Sequence, residues 1–250
     1  MHGESDLPSS DGGHGRRANI RRLLARRGLA PARQASIPRR PSPSDPAPLS
    51  PGQERLWFLE RLAPKPGLYV DVTPVRIRGP LDETMLAEAL RALVERHEIL
   101  RTRFPLEDGS AFQRIEAEPQ TTLEFREVRA SEGIEPVEQA LDLARQELRQ
   151  PIDLESGPVF RARLYRLAEE DHVLLLVLHH MVHDGWSLRN LLRDLLTGYS
   201  RGHGSDERLE PLPCQYADFA VWQRSRIDAI VRQELPYWRQ RLADLSPTEL

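Results

Sequence analysis

The sequence predicts an α/β (α+β) fold, a two-layer sandwich of helices packed on a sheet. Three observations carry this expectation. Tyr69 to Arg78 alternates apolar and polar residues (Val70, Val72, Val75, Ile77), which is strand periodicity. Val173 to Leu178 is uninterruptedly apolar, the pattern of a central strand covered on both sides. Several longer segments carry apolar residues at i, i+3 and i+4, the period of amphipathic helices. At 250 residues, 39% hydrophobic and 29% charged, the chain is long enough to bury a core and ordinary in composition for a globular protein.

The first 48 residues are expected to form an arm outside that fold. Met1 to Gly15 is rich in Ser, Gly and Asp and has almost nothing to bury, so it is expected to be disordered. Arg16 to Arg27 reads as a short helix with Ile20, Leu23 and Leu24 on one face and Gly28 as its stop. Ala35 to Pro48 carries five prolines, a semi-rigid linker. Residues 1–49 hold nine arginines and four acids; since the whole chain carries −3, the rest carries −8. The folded domain is expected to begin near Leu49.

From there the elements follow in order. Pro51 to Leu62 is a helix, with the Trp57, Phe58, Leu59 cluster expected in the core. The Tyr69–Arg78 strand is ended by Gly79-Pro80, and Asp82 to Ile99 is a long helix with Leu86, Leu90, Leu93 and Val94 inward. Leu100 to Phe104 and Phe112 to Ile115 read as a hairpin around Glu107-Asp108-Gly109. Leu123 to Val128 is a strand and Val137 to Gln150 a helix. Val159 to Leu167 and His172 to His180 pair around Glu169-Glu170-Asp171. Leu188 to Tyr199 is a helix with Leu188, Leu191, Leu192, Leu195 and Leu196 at helical spacing, and Tyr216 to Arg226 and Val231 to Leu245 are expected as two final helices.

Composition excludes several function classes. A single cysteine, Cys214, rules out an internal disulfide framework and a cysteine-based zinc site, and fits a reducing cytoplasm. No apolar run approaches the roughly 20 residues of a membrane span, and no secretory leader pattern is present. The net charge gives no reason to expect nucleic acid as a partner, and the arginine-rich arm has no aromatic residues interleaved for base stacking.

The chemistry is concentrated in His179-His180-Met181-Val182-His183-Asp184-Gly185-Trp186-Ser187, at the end of a buried strand and just before a helix. Consecutive strand residues point to opposite faces, so His179 and His180 cannot chelate one ion together, and no metal is expected. An imidazole titrating near neutrality can accept or orient a proton. Asp184, partly buried by its loop, needs a basic partner or backbone donors.

This chain resembles the condensation domains of nonribosomal peptide synthetases, of the chloramphenicol-acetyltransferase-like fold, in four motifs in order. Ser50-Pro51-Gly52-Gln53-Glu54-Arg55-Leu56-Trp57-Phe58-Leu59 is similar to S-x-A-Q-x-R-L-W-x-L, with Gly52 replacing Ala. Arg96 to Phe104 fits R-H-E-x-L-R-T-x-F, His179 to Ser187 fits H-H-x-x-x-D-G-W-S, and Tyr216 to Trp222 fits Y-x-D-F-A-x-W. The resemblance covers about Pro48 to Leu245. It implies the N-terminal half of a two-halved domain whose active site lies in the cleft between them, with the second half absent from this sequence.

The resemblance implies amide bond formation between an aminoacyl or peptidyl thioester on an upstream carrier domain and an aminoacyl amine on a downstream one. No cofactor is expected to bind directly, since the substrates ride on phosphopantetheine of the carriers, and an adenylation domain in the same assembly line is a further implied partner. His180 is the implied catalytic residue, as general base or positioning group, and His179 is implied to be structural. Asp184 is implied to form a salt bridge with Arg96 or Arg101, Arg96 being favoured. Gly185 is implied to permit a backbone approach that a side chain would block. Tyr216, Asp218 and Trp222 are expected to pack and anchor. Asp184-Gly185-Trp186-Ser187 departs from the D-G-V-S-W of epimerisation domains, and His179 from the aspartate of heterocyclisation domains. The pattern therefore fits the subtype joining two L-residues. A stand-alone acyltransferase of the same superfamily, or a non-catalytic carrier-docking piece, are the rival readings.

Overall fold

A computed structural model describes residues 36–62, 65, 67–128 and 134–243. The expected disordered segment Met1–Gly15 and helix Arg16–Arg27 lie outside them.

The element that organises the fold is the apolar run noted above. Strand β8 (Asp171–His179) is central in a sheet of order β2-β8-β7-β6, with β2 at Val70–Arg78, β6 at Leu123–Glu127 and β7 at Phe160–Ala168. It pairs antiparallel with both neighbours, and β6 joins β7 in parallel. Val173 through Leu178 are all buried. Leu174, Leu176 and Leu178 pack in a cluster with Leu86, Leu90 and Leu93 of helix α2 (Glu83–Arg96) and Leu191 and Leu195 of helix α4 (Gly185–Gly202). Val173 and Leu175 instead join a second cluster with Ala140 and Ala144 of helix α3 (Pro136–Glu147). The strand is thus covered on both faces, as its unbroken hydrophobicity requires.

A smaller sheet, ordered β1-β5-β3 with β4 against β5, is built from β1 (Ala47–Pro48), β3 (Thr102–Arg103), β4 (Leu106–Glu107) and β5 (Ser110–Ile115). The β4–β5 hairpin pairs Glu107 with Ser110, so Asp108 and Gly109 form a two-residue loop with φ of 50° and 77°. Positive φ at both positions is what such a turn demands, and Asp-Gly supplies it at low cost.

Three expectations are corrected. The folded unit begins before Leu49, because residues from Pro38 onward belong to the same compact unit. In helix α1 (Pro51–Leu62) the cluster is core only in part: Trp57 is half-buried against the main cluster, Phe58 is 57% exposed, and the fully buried residue is Gln53. Gln53 is held because its side-chain oxygen accepts from the Ser50 amide (3.0 Å) while Ser50 Oγ accepts from the Gln53 amide (3.2 Å), a reciprocal cap. The last two helices are one, α5 (Tyr216–Arg241), because Ile227-Asp228-Ala229-Ile230 contains no residue that would stop a helix. Among the described residues no helix is long and apolar enough to cross a membrane.

Two buried ionic hubs tie these elements together. Asp194 on α4 accepts from Arg96 Nε (2.9 Å), faces His97 Nε2 at 2.9 Å and is also met by Arg193. Arg40 donates to Asp218 on α5 (3.0 Å) and to Glu98 (2.6 Å), and its own amide also reaches Asp218 (3.1 Å). The Arg40 side chain is 6% exposed. Gln215 closes the circle by accepting from the Glu98 amide and donating to the Arg96 carbonyl.

Arg40→Ala leaves two buried carboxylates without their counter-charge, and breaking such a set costs roughly 3–5 kcal/mol. Denaturant unfolding is expected to report a loss of that size, whereas a dispensable linker residue would leave the midpoint where it is.

Candidate active site

Alternation at the end of β8 sends the two histidines opposite ways, as expected. His179 is fully buried and His180 is 51% exposed. His179 Nδ1 accepts from the Met181 amide at 3.2 Å, so its proton sits on Nε2, which lies 3.4 Å from Glu60 Oε2. Burial, together with the nearby His180 and His183, lowers the His179 pKa to about 4, and burial raises that of Glu60. The contact is therefore made by a neutral ring and is not an ion pair. His179 holds the chain in place.

The antiparallel register of β2 with β8 sets Val70 opposite His179 and Asp71 opposite Leu178, and the His180 amide donates to the Tyr69 carbonyl (2.7 Å). Asp71 and His180 are thus diagonal neighbours on one face, within reach of long side chains. His180 Nδ1 lies 2.7 Å from Asp71 Oδ2. The same oxygen is 3.2 Å from His183 Nε2, and the His180 and His183 rings meet edge-on with centroids 5.5 Å apart. With Nδ1–H given to Asp71, His180 Nε2 carries the free lone pair.

Asp71 is the residue of this cluster that sequence reasoning missed. It lies 109 positions before His180, and only the strand register brings it there. No local signal marks it, because β2 mixes polar and apolar residues and alternation alone does not reveal the partner strand. Asp71, His180 and His183 also offer three ligand atoms within 4.8 Å of one another, the one such metal-capable group among the described residues.

The implied Asp184 salt bridge is not formed. Asp184 is exposed and caps helix α4: its carboxylate accepts from the Ser187 amide (2.8 Å) and hydroxyl (2.6 Å), and the Asp184 amide donates back to Ser187 Oγ (2.7 Å). These hydrogen bonds, the Ser187 side chain first, hold its carboxyl below the usual aspartate range. The backbone-donor alternative satisfies it. Arg96 is engaged by Asp194, and Arg101 donates to the Glu116 carbonyl. Both arginines serve the scaffold away from Asp184. Because Asp184 is the cap, α4 begins at Gly185, three residues before the expected start. A Cβ at Gly185 would meet no atom within 4 Å, so no close approach within the described residues requires glycine there. Tyr216 and Asp218 anchor as expected, the first through its hydroxyl to Ser50 Oγ (2.8 Å), the second through Arg40.

The family model of the condensation domain matches residues 44–250. Phosphinothricin tripeptide synthetase PhsC of Streptomyces viridochromogenes is 41% identical over 224 residues, which are 89% of this chain and 21% of that protein. Nonribosomal peptide synthetase kk1B of Curvularia clavata is 40% identical over 225 residues, 86% of this chain and 2% of that one. The solved structure of SgcC5 from Streptomyces globisporus is 32% identical with a TM-score of 0.70, over 81% of this chain and 47% of that one. The chain thus spans a small part of these synthetases and about half of the solved structure.

Two outcomes follow from the geometry. Asp184→Ala is expected to lower stability by about 0.5–2 kcal/mol, the worth of an N-cap. Double-mutant cycles with Arg96 and Arg101 should give additivity; coupling with either would restore the ion pair. His179 stays neutral in the folded chain down to about pH 4, while the unfolded chain protonates near 6.5. Its contribution is therefore complete above pH 6.5 and falls away on acidification toward pH 4, by on the order of 3 kcal/mol. Unfolding free energies at pH 7 and pH 5 should show this slope, and His179→Gln should flatten it.

Proposed function

Because this chain belongs to the condensation-domain family, we propose that it is the histidine-bearing half of a catalyst joining two thioester-tethered partners through an amide bond. The observation that carries the reading is the half-exposed His180 at the end of a buried strand, its Nδ1 2.7 Å from the Asp71 carboxylate. That contact fixes the tautomer and leaves Nε2 as a base.

The amine nitrogen of the acceptor attacks the donor thioester carbonyl, forming the C–N bond. The proton released from that nitrogen passes to His180 Nε2. The C–S bond breaks as the carbonyl re-forms, and the departing thiolate takes the proton from His180. Asp71 keeps the ring oriented and stabilises the imidazolium formed on the way. Donor and acceptor arrive on phosphopantetheine arms of upstream and downstream carrier domains, with an adenylation domain loading them, in the cytoplasm. Holding both arms in register supplies a large part of the rate.

A second half is expected to close the site. Trp186, next to the motif, is 72% exposed, and Phe58, Leu62, Leu196 and Trp238 also present more than half of their surface. An aromatic ring so exposed beside the motif, as Trp186 is, suits a covered position better than a solvated one.

Carrier domains loaded with aminoacyl-phosphopantetheine are mixed with the chain alone and then with the chain plus a separately expressed second half. Amide product is expected only after the second addition; product from the chain alone overturns the half-site reading. In the assembled pair His180→Ala should lose about 10²–10⁴-fold in rate. Asp71→Asn should move the pH–rate profile as well as the rate, which a merely structural residue would not do. Full activity in His180→Ala defeats the reading.

A further inference from the structure

We propose that Asp71, His180 and His183 form a binding site for a divalent transition-metal ion of the zinc type. The inference rests on these side chains alone and is independent of the condensation reading.

His183 Nδ1 lies 3.1 Å from the His179 carbonyl oxygen. A carbonyl only accepts, so that nitrogen carries the proton, and in the neutral ring Nε2 is left as an acceptor. It lies 3.2 Å from another acceptor, Asp71 Oδ2. Two acceptor atoms held that close repel each other unless a cation bridges them. His180 Nδ1 reaches the same oxygen at 2.7 Å and completes a two-histidine, one-carboxylate set.

The dimensions suit zinc. Tetrahedral bonds of about 2.0–2.1 Å place neighbouring ligand atoms about 3.3 Å apart. The His183–Asp71 separation already matches, and the His180–Asp71 separation must open by about 0.6 Å. His183 shows the outer arrangement typical of a ligating imidazole, its other N–H held by a backbone carbonyl. Asp71 and His180 are each about half exposed, which leaves room for water to complete the coordination. The ligand types, two imidazoles and one carboxylate without a thiolate, favour zinc, nickel or copper over magnesium. On the condensation reading, metal at His180 Nδ1 fixes the proton on Nε2 and withdraws the ring from proton transfer, so occupancy silences the site.

Zinc chloride titrated into the purified chain at neutral pH, followed by calorimetry, is expected to show binding at micromolar concentration, with magnesium chloride giving none. Asp71→Asn and His183→Gln should each weaken the zinc affinity by about tenfold or more. Asp71 is on the surface, so its variant keeps the fold, which circular dichroism checks. Cobalt(II) added to the unsubstituted chain should give the visible bands of a low-coordinate nitrogen–oxygen site, and Asp71→Asn should abolish them. Zinc binding that is unchanged in Asp71→Asn places the ion on other histidines and overturns the site. So does the absence of binding below millimolar zinc, which leaves the proton of an imidazolium as the cation between His183 and Asp71.

Discussion

Strand β8 has to be covered on both faces, and the rest of the described fold is arranged around that requirement. Six consecutive apolar side chains, Val173 to Leu178, are buried, so the backbone groups between them have no water to bond. They pair instead with β2 on one side and β7 on the other. Helices α2 and α4 then bury the even-numbered side chains, and α3 buries Val173 and Leu175. A strand so enclosed presents function only where it emerges. At its C-terminal end the alternation leaves one histidine in the dry interior and the next in solvent. The site is a consequence of where the burial stops.

Charges inside such a unit persist only as closed sets, because a carboxylate or guanidinium stripped of water needs full compensation. Asp194 is compensated by Arg96, His97 and Arg193, and Arg40 by Glu98 and Asp218. Arg163 is met by Glu124 and Glu147. Arg96, His97 and Glu98 of the second motif and Asp218 of the fourth are spent on these sets. They join the C-terminal end of α2, the start of α5 and the Pro-rich segment before β1. These sets help hold the frame that carries β2 and β8.

That register is what brings a carboxylate to the half-exposed histidine. An imidazole free in solvent has two equivalent ways to carry its proton; one whose Nδ1 faces a carboxylate has a single useful one. Asp71 performs this service while also facing His183, so a single oxygen serves two rings. Because both Asp71 and His180 are half exposed, water weakens their mutual attraction in the chain by itself. Covering the site would strengthen the same contact without moving an atom.

The elements were legible in the sequence because each depends on local periodicity. Helix α1 and strand β2 fall where the pattern places them, as do β7, β8 and the Asp108-Gly109 turn. The opposite fates of His179 and His180 were legible too, since strand alternation needs no tertiary information. Sequence reasoning failed where a residue's partner is remote. It assigned Arg40 to a linker because prolines surround it, and only folding brings Glu98 and Asp218 to it. The resemblance paired Asp184 with an arginine, but Asp184 is exposed and is satisfied by the helix it starts, the backbone-donor alternative that the residues had left open. Asp71 carries no local signature at all; its role arises from the pairing of two strands that lie far apart in the chain. Local chemistry and period thus decided which segments form and which histidine faces out. Long-range register and burial decided what each charged side chain meets, since both depend on contacts that no window of sequence contains.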